Sequence, residues 1–146
     1  MALQTGLRLI LDPHKARDVG YVVERATSKE EVQSKWKDDP KARLQLTPVE
    51  LTEFAAFMRK TKAQAEKITK LPVLVVQGLA DKLVKPEGTF SLFDAVNSPD
   101  KTLLLAGLAE HLIFENPSPD PIIMDSVDSW LKHHIPQTSA GSSLSR

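Results

Sequence analysis

The second half of the chain alternates between short apolar runs and helical patterns. Residues 73–76 form a short, continuous apolar run rich in β-branched valine, which predicts a strand buried on both faces. Residues 102–106 predict a second strand, and apolar positions at helical spacing predict a helix over residues 87–97 between them. A closing helix is predicted over residues 121–134. The order strand, helix, strand predicts a right-handed βαβ unit with parallel strands.

Apolar residues in the first half of the chain recur at the three- and four-residue spacing of helices. A capping box begins at Thr47, with proline at the first helical position, and predicts a long helix over residues 48–69. Ser28 with Glu31 predicts a second capping box and a shorter helix behind it. Residues 1–27 are predicted to be loop and short helix. The first half is therefore expected to be helical and charged.

These patterns divide the chain into three parts and predict an α/β fold. Residues 1–70 form the helical segment, and residues 71–136 form the βαβα part. Residues 137–146 are small and polar and are predicted to be a disordered tail.

Composition narrows the classes of function. The 146 residues carry 19 Lys and Arg and 19 Asp and Glu. The chain therefore lacks the excess of basic residues that would predict a nucleic-acid partner. The absence of cysteine excludes disulfides, thiolate zinc sites and a cysteine nucleophile. No apolar run approaches the ~18 residues of a membrane span, and Arg8 interrupts the N-terminal apolar run, unlike a secretory signal. We expect a soluble, cytoplasmic protein.

The adjacent histidines His133 and His134 invite a metal interpretation. Neighbouring residues on a helix point about 100° apart, so the pair does not chelate one ion. Cations in the last turn, near the helix C-terminus, are the favoured interpretation. No metal site and no cofactor are predicted.

Two titratable residues follow the predicted strands. Asp81 comes shortly after the strand at 73–76, and His111 shortly after the strand at 102–106. Because functional residues of such units gather past the carboxyl ends of the strands, the two loops should emerge side by side. There the carboxylate can hydrogen-bond the imidazole, fix its tautomer and stabilise the imidazolium. A turn-forming role for Asp81 and a capping or surface role for His111 are the alternatives.

Three segments carry a family resemblance. Residues 71–84, Leu-Pro-Val-Leu-Val-Val-Gln-Gly-Leu-Ala-Asp-Lys-Leu-Val, resemble the acid-loop motif of α/β-hydrolases, most closely the monoacylglycerol lipase and lysophospholipase-like, S33-type branch. Residues 98–103 followed by 111–115 look like the histidine segment of that branch. Residues 29–39 are similar to its cap domain.

The resemblance implies a partial α/β-hydrolase fold, in which a helical cap precedes a βαβα unit with parallel strands. It makes Asp81 the acid and His111 the base of a Ser-His-Asp triad. The activity it implies is the hydrolysis of carboxylic esters, with acylglycerols or similar lipid esters as substrates. Glu115 is expected to be a solvated carboxylate at a helix start rather than a support of the histidine loop.

The sequence departs from the family at the nucleophile. The family needs a serine on a G-x-S-x-G elbow that precedes the acid in chain order. The serines before Asp81 are Ser28 and Ser34, and neither has flanking glycines. A His-Gly oxyanion segment is also absent from the sequence. We therefore expect this chain to be the C-terminal half of such a hydrolase, comprising the cap and the last two strands. The isolated chain would be inactive. It would act on esters when completed by the missing half.

The alternative is a non-catalytic binding or assembly module, or a pseudoenzyme, derived from the same fold. The strand at 73–76 would lack one neighbour, and its exposed edge predicts a homodimer. The cap is expected to allow peripheral membrane contact. Phe54, Phe57 and Met58 either line an acyl pocket or form the packed face of a cap helix, and the packed face is favoured.

Overall fold

A computed structural model describes residues 12–135. The predicted tail at 137–146 and the start of the predicted segment at 1–27 lie outside the described residues. Six helices and four strands follow one another along the described part of the chain, in this order: β1 (Arg17–Asp18), α1 (Tyr21–Ala26), α2 (Glu30–Asp38), β2 (Gln45–Leu46), α3 (Pro48–Met58), α4 (Thr61–Ala65), β3 (Val73–Gly78), α5 (Pro86–Ala95), β4 (Lys101–Ala106) and α6 (Pro121–His134).

The second half contains a parallel pair of strands joined by a helix. β3 pairs with β4 in parallel register, from Val73 opposite Lys101 to Gly78 opposite Ala106. The connecting helix α5 packs against β3. The predicted strand, helix, strand order is therefore confirmed, and both strands are slightly longer than their apolar runs. Parallel pairing brings the ends of β3 and β4 to the same edge of the sheet.

The closing helix α6 has the predicted bounds. Asp120 caps its first turn, where the carboxylate accepts a hydrogen bond from the backbone N–H of Ile122 at 2.8 Å. At its other end, the Nδ1 atom of His134 lies 2.7 Å from the carbonyl of Trp130, and its Nε2 atom lies 3.1 Å from an oxygen of Asp100. Asp100 immediately precedes β4, so this contact fixes the end of α6 beside the start of that strand.

The capping box at Thr47 is confirmed. The Thr47 side chain accepts from the N–H of Glu50 at 3.2 Å, and the Glu50 carboxylate accepts from the N–H of Thr47 at 2.8 Å. The single long helix predicted behind it is wrong, because α3 ends at Met58. The chain tightens there: the N–H of Lys60 donates to the carbonyl of Phe57, three residues back. A second short helix, α4, then follows.

The capping box predicted at Ser28 is wrong. Helix α2 begins at Glu30, and Lys29 occupies the N-cap position without a side-chain hydrogen bond. The N–H of Ser28 donates instead to a carboxylate oxygen of Glu110, at 2.7 Å. A tertiary partner has replaced the local one, since the glutamate of the predicted box does not reach back to the serine.

A buried apolar cluster lies where α4 meets the end of α5. Ala65, Ala95 and Val96 form a buried cluster, with Ile68 and Val73 partly buried against it. The prediction that residues 73–76 are buried on both faces is wrong, because all four are only half-buried. In the described part of the chain β3 has one partner strand, β4, so its other edge is unpaired.

Three large apolar side chains on α3 are exposed. Phe54, Phe57 and Met58 are 61%, 64% and 47% exposed, so the prediction of a packed cap-helix face is wrong for the residues described. No helix between residues 12 and 135 combines the length and the apolar character needed to cross a bilayer.

Candidate active site

Asp81 is held in the turn that follows β3. Its Oδ1 atom accepts from the backbone N–H groups of Leu83 and Val84, both at 2.8 Å. The side chain is only 5% exposed. Two backbone donors fix one carboxylate oxygen and leave the other, Oδ2, to face the neighbouring loop. A turn-forming role and a role toward that loop therefore coexist in the same residue.

His111 follows β4 and meets Asp81 directly. The Nδ1 atom of the imidazole lies 2.9 Å from Oδ2 of Asp81, so the hydrogen bond predicted from the strand order is confirmed. An ionised carboxylate can only accept, so the Nδ1 atom carries the proton and the Nε2 atom of the neutral ring keeps its lone pair. No residue of the described chain hydrogen-bonds Nε2. The His111 side chain is about one third exposed, at 34%.

Gly78, the last residue of β3, permits the close approach of the two loops. A Cβ atom placed on Gly78 would lie 2.3 Å from the carbonyl oxygen of Ala109 and 2.6 Å from that of Glu110. The same loop is hydrogen-bonded to the acid loop, since the N–H of Ala80 donates to the carbonyl of Ala109 at 3.0 Å. Any side chain at position 78 would therefore push the histidine loop away.

The buried side-chain amide of Gln77 stabilises the loop that carries Asp81. The Nε2 atom of Gln77 donates to the carbonyl of Gly78 at 2.7 Å and to that of Val84 at 3.3 Å. Its oxygen accepts from the hydroxyl of Thr89 on α5. The side chain of Gln77 thus joins the acid loop to a helix. Sequence reasoning missed this residue, although a glutamine that ends an apolar run is a signal that its amide needs partners.

Glu110 joins the histidine loop to the first residues of the cap. One oxygen, Oε2, accepts from the N–H of Ser28 at 2.7 Å and from the hydroxyl of Thr27 at 3.1 Å. The N–H of His111 donates to the carbonyl of Ala26 at 3.1 Å. Sequence reasoning considered Glu115 instead, which is exposed and makes no hydrogen bond within the described residues.

Burial and hydrogen bonding act in opposite directions on Glu110. Partial burial raises the pKa of this carboxyl, but the hydrogen bonds from Ser28 and Thr27, with the charge of Lys82, outweigh burial and hold the pKa below its ordinary value. A lowered folded-state pKa adds stability above the unfolded-state pKa, and this contribution is lost as the pH falls through the folded-state pKa. The link between Glu110 and the cap is therefore complete at neutral pH and weakens in acid.

A cavity lies beside the pair formed by Asp81 and His111, and Glu110 and Leu112, the chain neighbours of His111, help to line it. It has a volume of about 470 Å³, and Val32, Gly107 and Ile123 are among its lining residues. Neither member of the pair lines it. No cluster of three or more potential metal ligands occurs in the same part of the chain. The chemistry available at the site is proton transfer at the Nε2 atom of His111.

Comparison with known proteins agrees with the resemblance seen in the sequence. The family model described as serine aminopeptidase, S33, matches residues 7–118. Monoglyceride lipase of Mus musculus is 36% identical over 72 residues, which cover 49% of this chain and 24% of the mouse protein. Monoacylglycerol lipase of Mycolicibacterium smegmatis is 28% identical over 105 residues, which cover 72% of this chain and 37% of that protein.

Solved structures show the same fold. The crystal structure of Paleococcus ferrophilus monoacylglycerol lipase matches with a TM-score of 0.69 and 26% identity, covering 92% of this chain and 53% of that one. A soluble variant of the Saccharomyces cerevisiae monoglyceride lipase matches with a TM-score of 0.68 and 23% identity, covering 88% of this chain and 47% of that one. The second likeness speaks for the fold alone.

The arrangement of cap helices and parallel βαβα unit is thus a partial α/β-hydrolase fold, as predicted. The chain belongs to the serine aminopeptidase, S33, family. It spans between about a quarter and about a half of the length of the relatives described above.

Proposed function

We propose that this chain carries the acid and the base of a serine-hydrolase triad that hydrolyses carboxylic esters of the monoacylglycerol type. The observation that carries the proposal is the 2.9 Å contact between Nδ1 of His111 and Oδ2 of Asp81. The resemblance of residues 71–84 and 111–115 to the acid and histidine segments of α/β-hydrolases supports these two roles. Two backbone hydrogen bonds to Asp81 leave only one oxygen to bind the ring.

In the proposed mechanism, the Nε2 atom of His111 accepts the proton of a serine hydroxyl as the serine oxygen attacks the ester carbonyl. The imidazolium that forms is stabilised by the carboxylate of Asp81. His111 then gives its proton to the leaving alcohol oxygen, which breaks the ester bond and leaves an acyl-serine. The same two residues activate the water that hydrolyses the acyl-serine, which releases the carboxylic acid product and restores the serine.

The nucleophile and the oxyanion donors are proposed to come from polypeptide outside these 146 residues. The printed sequence has no G-x-S-x-G elbow, and the family pattern places that elbow before the acid. The substrate class is proposed from the relatives, which are described as monoglyceride or monoacylglycerol lipases. The same lack of an elbow favours the second candidate function, a non-catalytic module that uses the fold for binding or assembly.

The isolated chain should not hydrolyse esters. A positioned base contributes only ~10²–10⁴ over water and still needs a bound nucleophile and substrate. We expect no turnover of p-nitrophenyl esters above a His111→Ala control, and no serine labelled by a fluorophosphonate probe. Stoichiometric labelling of any serine in the 146-residue chain would contradict the proposal that the nucleophile lies elsewhere.

The unpaired edge of β3 should make the isolated chain associate. An open edge presents unpaired N–H and C=O groups to other strands, and a two-stranded sheet is too small to be stable alone. We propose that either a second copy of the chain or the completing polypeptide covers this edge. Light scattering over a concentration series should show dimers or larger species, with the amides of residues 73–76 exchanging faster in dilute samples. A monodisperse monomer with these amides protected would contradict the proposal.

A further inference from the structure

We infer that Glu110 is a positioning residue, which holds the loop of His111 against the first residues of the cap and so fixes the imidazole beside Asp81. The inference rests on the proposed function, because it gives Glu110 a task only if the contact between Asp81 and His111 is used. Glu110 does not reach the reacting atoms. Its effect passes through the backbone of the next residue, His111.

The contact joins two distant parts of the sequence. The hydroxyl of Thr27 and the N–H of Ser28 converge on one oxygen of Glu110, across 83 and 82 residues of chain. Hydrogen bonds to an ionised acceptor are roughly twice as strong as those between neutral groups. Thr27 is buried, at 4% exposure, so water competes poorly for its hydroxyl. The bond from Thr27 is therefore better shielded from water than the exposed bond from Ser28.

The hydrogen bonds beside it fix the direction in which this restraint acts. The N–H of His111 donates to the carbonyl of Ala26 at 3.1 Å, so two successive residues of the histidine loop are bound to successive residues of the cap. The Nε atom of Arg25 donates to the carbonyl of Lys82, in the acid loop, at 3.3 Å. Residues 25–28 thus contact both loops of the proposed catalytic pair. A shift of this segment would be transmitted to the distance between Asp81 and His111.

The resulting expectation is that the tautomer of His111 depends on Glu110. While the ring stays beside Oδ2 of Asp81, the Nδ1–H form is favoured; once the loop moves, the two neutral tautomers become more nearly equal. Loss of the two hydrogen bonds that Glu110 accepts should lower the ratio of Nδ1–H to Nε2–H imidazole on the order of tenfold. A purely structural role would lower the stability of the fold without changing that ratio in the molecules that remain folded.

The test uses the full chain, labelled with ¹⁵N in its four histidines. The ¹⁵N chemical shifts of the His111 imidazole are measured at a pH high enough for the ring to be neutral, in the wild type and in Glu110→Ala. Glu115→Ala is the matched control, since Glu115 lies in the same loop and is exposed. We expect Glu110→Ala to lower the tautomer ratio, Glu110→Gln to restore part of it through the amide oxygen, and Glu115→Ala to leave it unchanged.

Thr27→Val provides a second route if Glu110→Ala does not fold. It removes one donor to Glu110 and the acceptor of the Lys29 N–H, and it keeps the side-chain shape. It should lower the ratio less than Glu110→Ala does. An Nδ1–H ratio that stays at the wild-type value in folded Glu110→Ala or Thr27→Val would overturn the inference and leave the catalytic pair intact. A wild-type ring without Nδ1–H preference would instead overturn the proposed pair itself, so the two failures are distinguishable.

Discussion

Gly78→Ala should destabilise the chain and separate the proposed catalytic pair. The added methyl carbon would lie 2.3 Å from the carbonyl oxygen of Ala109 and 2.6 Å from that of Glu110, well inside any normal contact distance. Both obstacles are backbone atoms, which cannot rotate away as a flexible side chain can. Overpacking of this kind typically costs about 1–3 kcal/mol and sometimes more. Because the obstructing carbonyls immediately precede His111, the loop that carries the imidazole has to move.

The matched control is Gly107→Ala. Gly107 lies in the same loop, but a Cβ atom there would have no heavy atom within 4 Å. Denaturant unfolding of the two variants should therefore show a clearly lower midpoint for Gly78→Ala and a nearly unchanged one for Gly107→Ala. The histidine ¹⁵N shifts should move only in the first variant. Equal midpoints in the two variants would contradict the close approach of the two loops.

Once a nucleophile is supplied, His111→Ala should abolish ester hydrolysis. The imidazole is the only proposed proton carrier, so its removal affects both acylation and deacylation. In serine-hydrolase triads the loss of the histidine lowers kcat on the order of 10⁶-fold, and replacement of the acid by its amide lowers it about 10⁴-fold. We therefore expect His111→Ala to lower kcat more than Asp81→Asn does. Both should lower kcat more than substitutions of surface residues do.

His133→Ala is the control for that comparison. His133 is an exposed histidine on α6, distant in sequence from both catalytic loops, and its replacement should leave the rate unchanged. Initial rates on a short-chain ester, measured at saturating substrate, give kcat for each variant. A loss of less than tenfold for His111→Ala would mean that another group carries the proton.

The sequence predicted the elements whose signals are local. The apolar runs before Asp81 and before His111 indicated two parallel strands, and their ends placed the two residues side by side. The capping box at Thr47 was predicted for the same reason, since all its atoms belong to one helical turn. The last helix was predicted over residues 121–134, and Asp120, which caps it, accepts from the N–H two residues on.

The features that were missed or misplaced depend on contacts between distant segments. Ser28 looks like a helix cap in sequence, but its N–H is taken by Glu110, 82 residues away. Glu110 and Glu115 are alike in sequence, and only the position of the cap selects Glu110. The need for glycine at position 78 is equally invisible, because it arises from carbonyl groups of another loop.

The sequence pattern also did not predict which apolar residues are exposed. The spacing of Phe54, Phe57 and Met58 shows that they share a helix face, but not what covers that face. The half-buried residues at 73–76 present the same difficulty, because strand burial depends on neighbours on both sides. Both surfaces are consistent with a chain that spans about half of the solved relatives.

Reconstitution tests the central claim most directly. The part of the Paleococcus ferrophilus monoacylglycerol lipase that this chain does not match, in which the family pattern predicts the serine elbow, would be joined ahead of the full chain. Cooperative unfolding would establish that the joined protein folds. We predict that it hydrolyses monoacylglycerol and labels with a fluorophosphonate at the supplied serine, and that both activities require His111. Hydrolysis at an undiminished rate in folded His111→Ala protein would contradict the assignment of this chain as the source of the catalytic base.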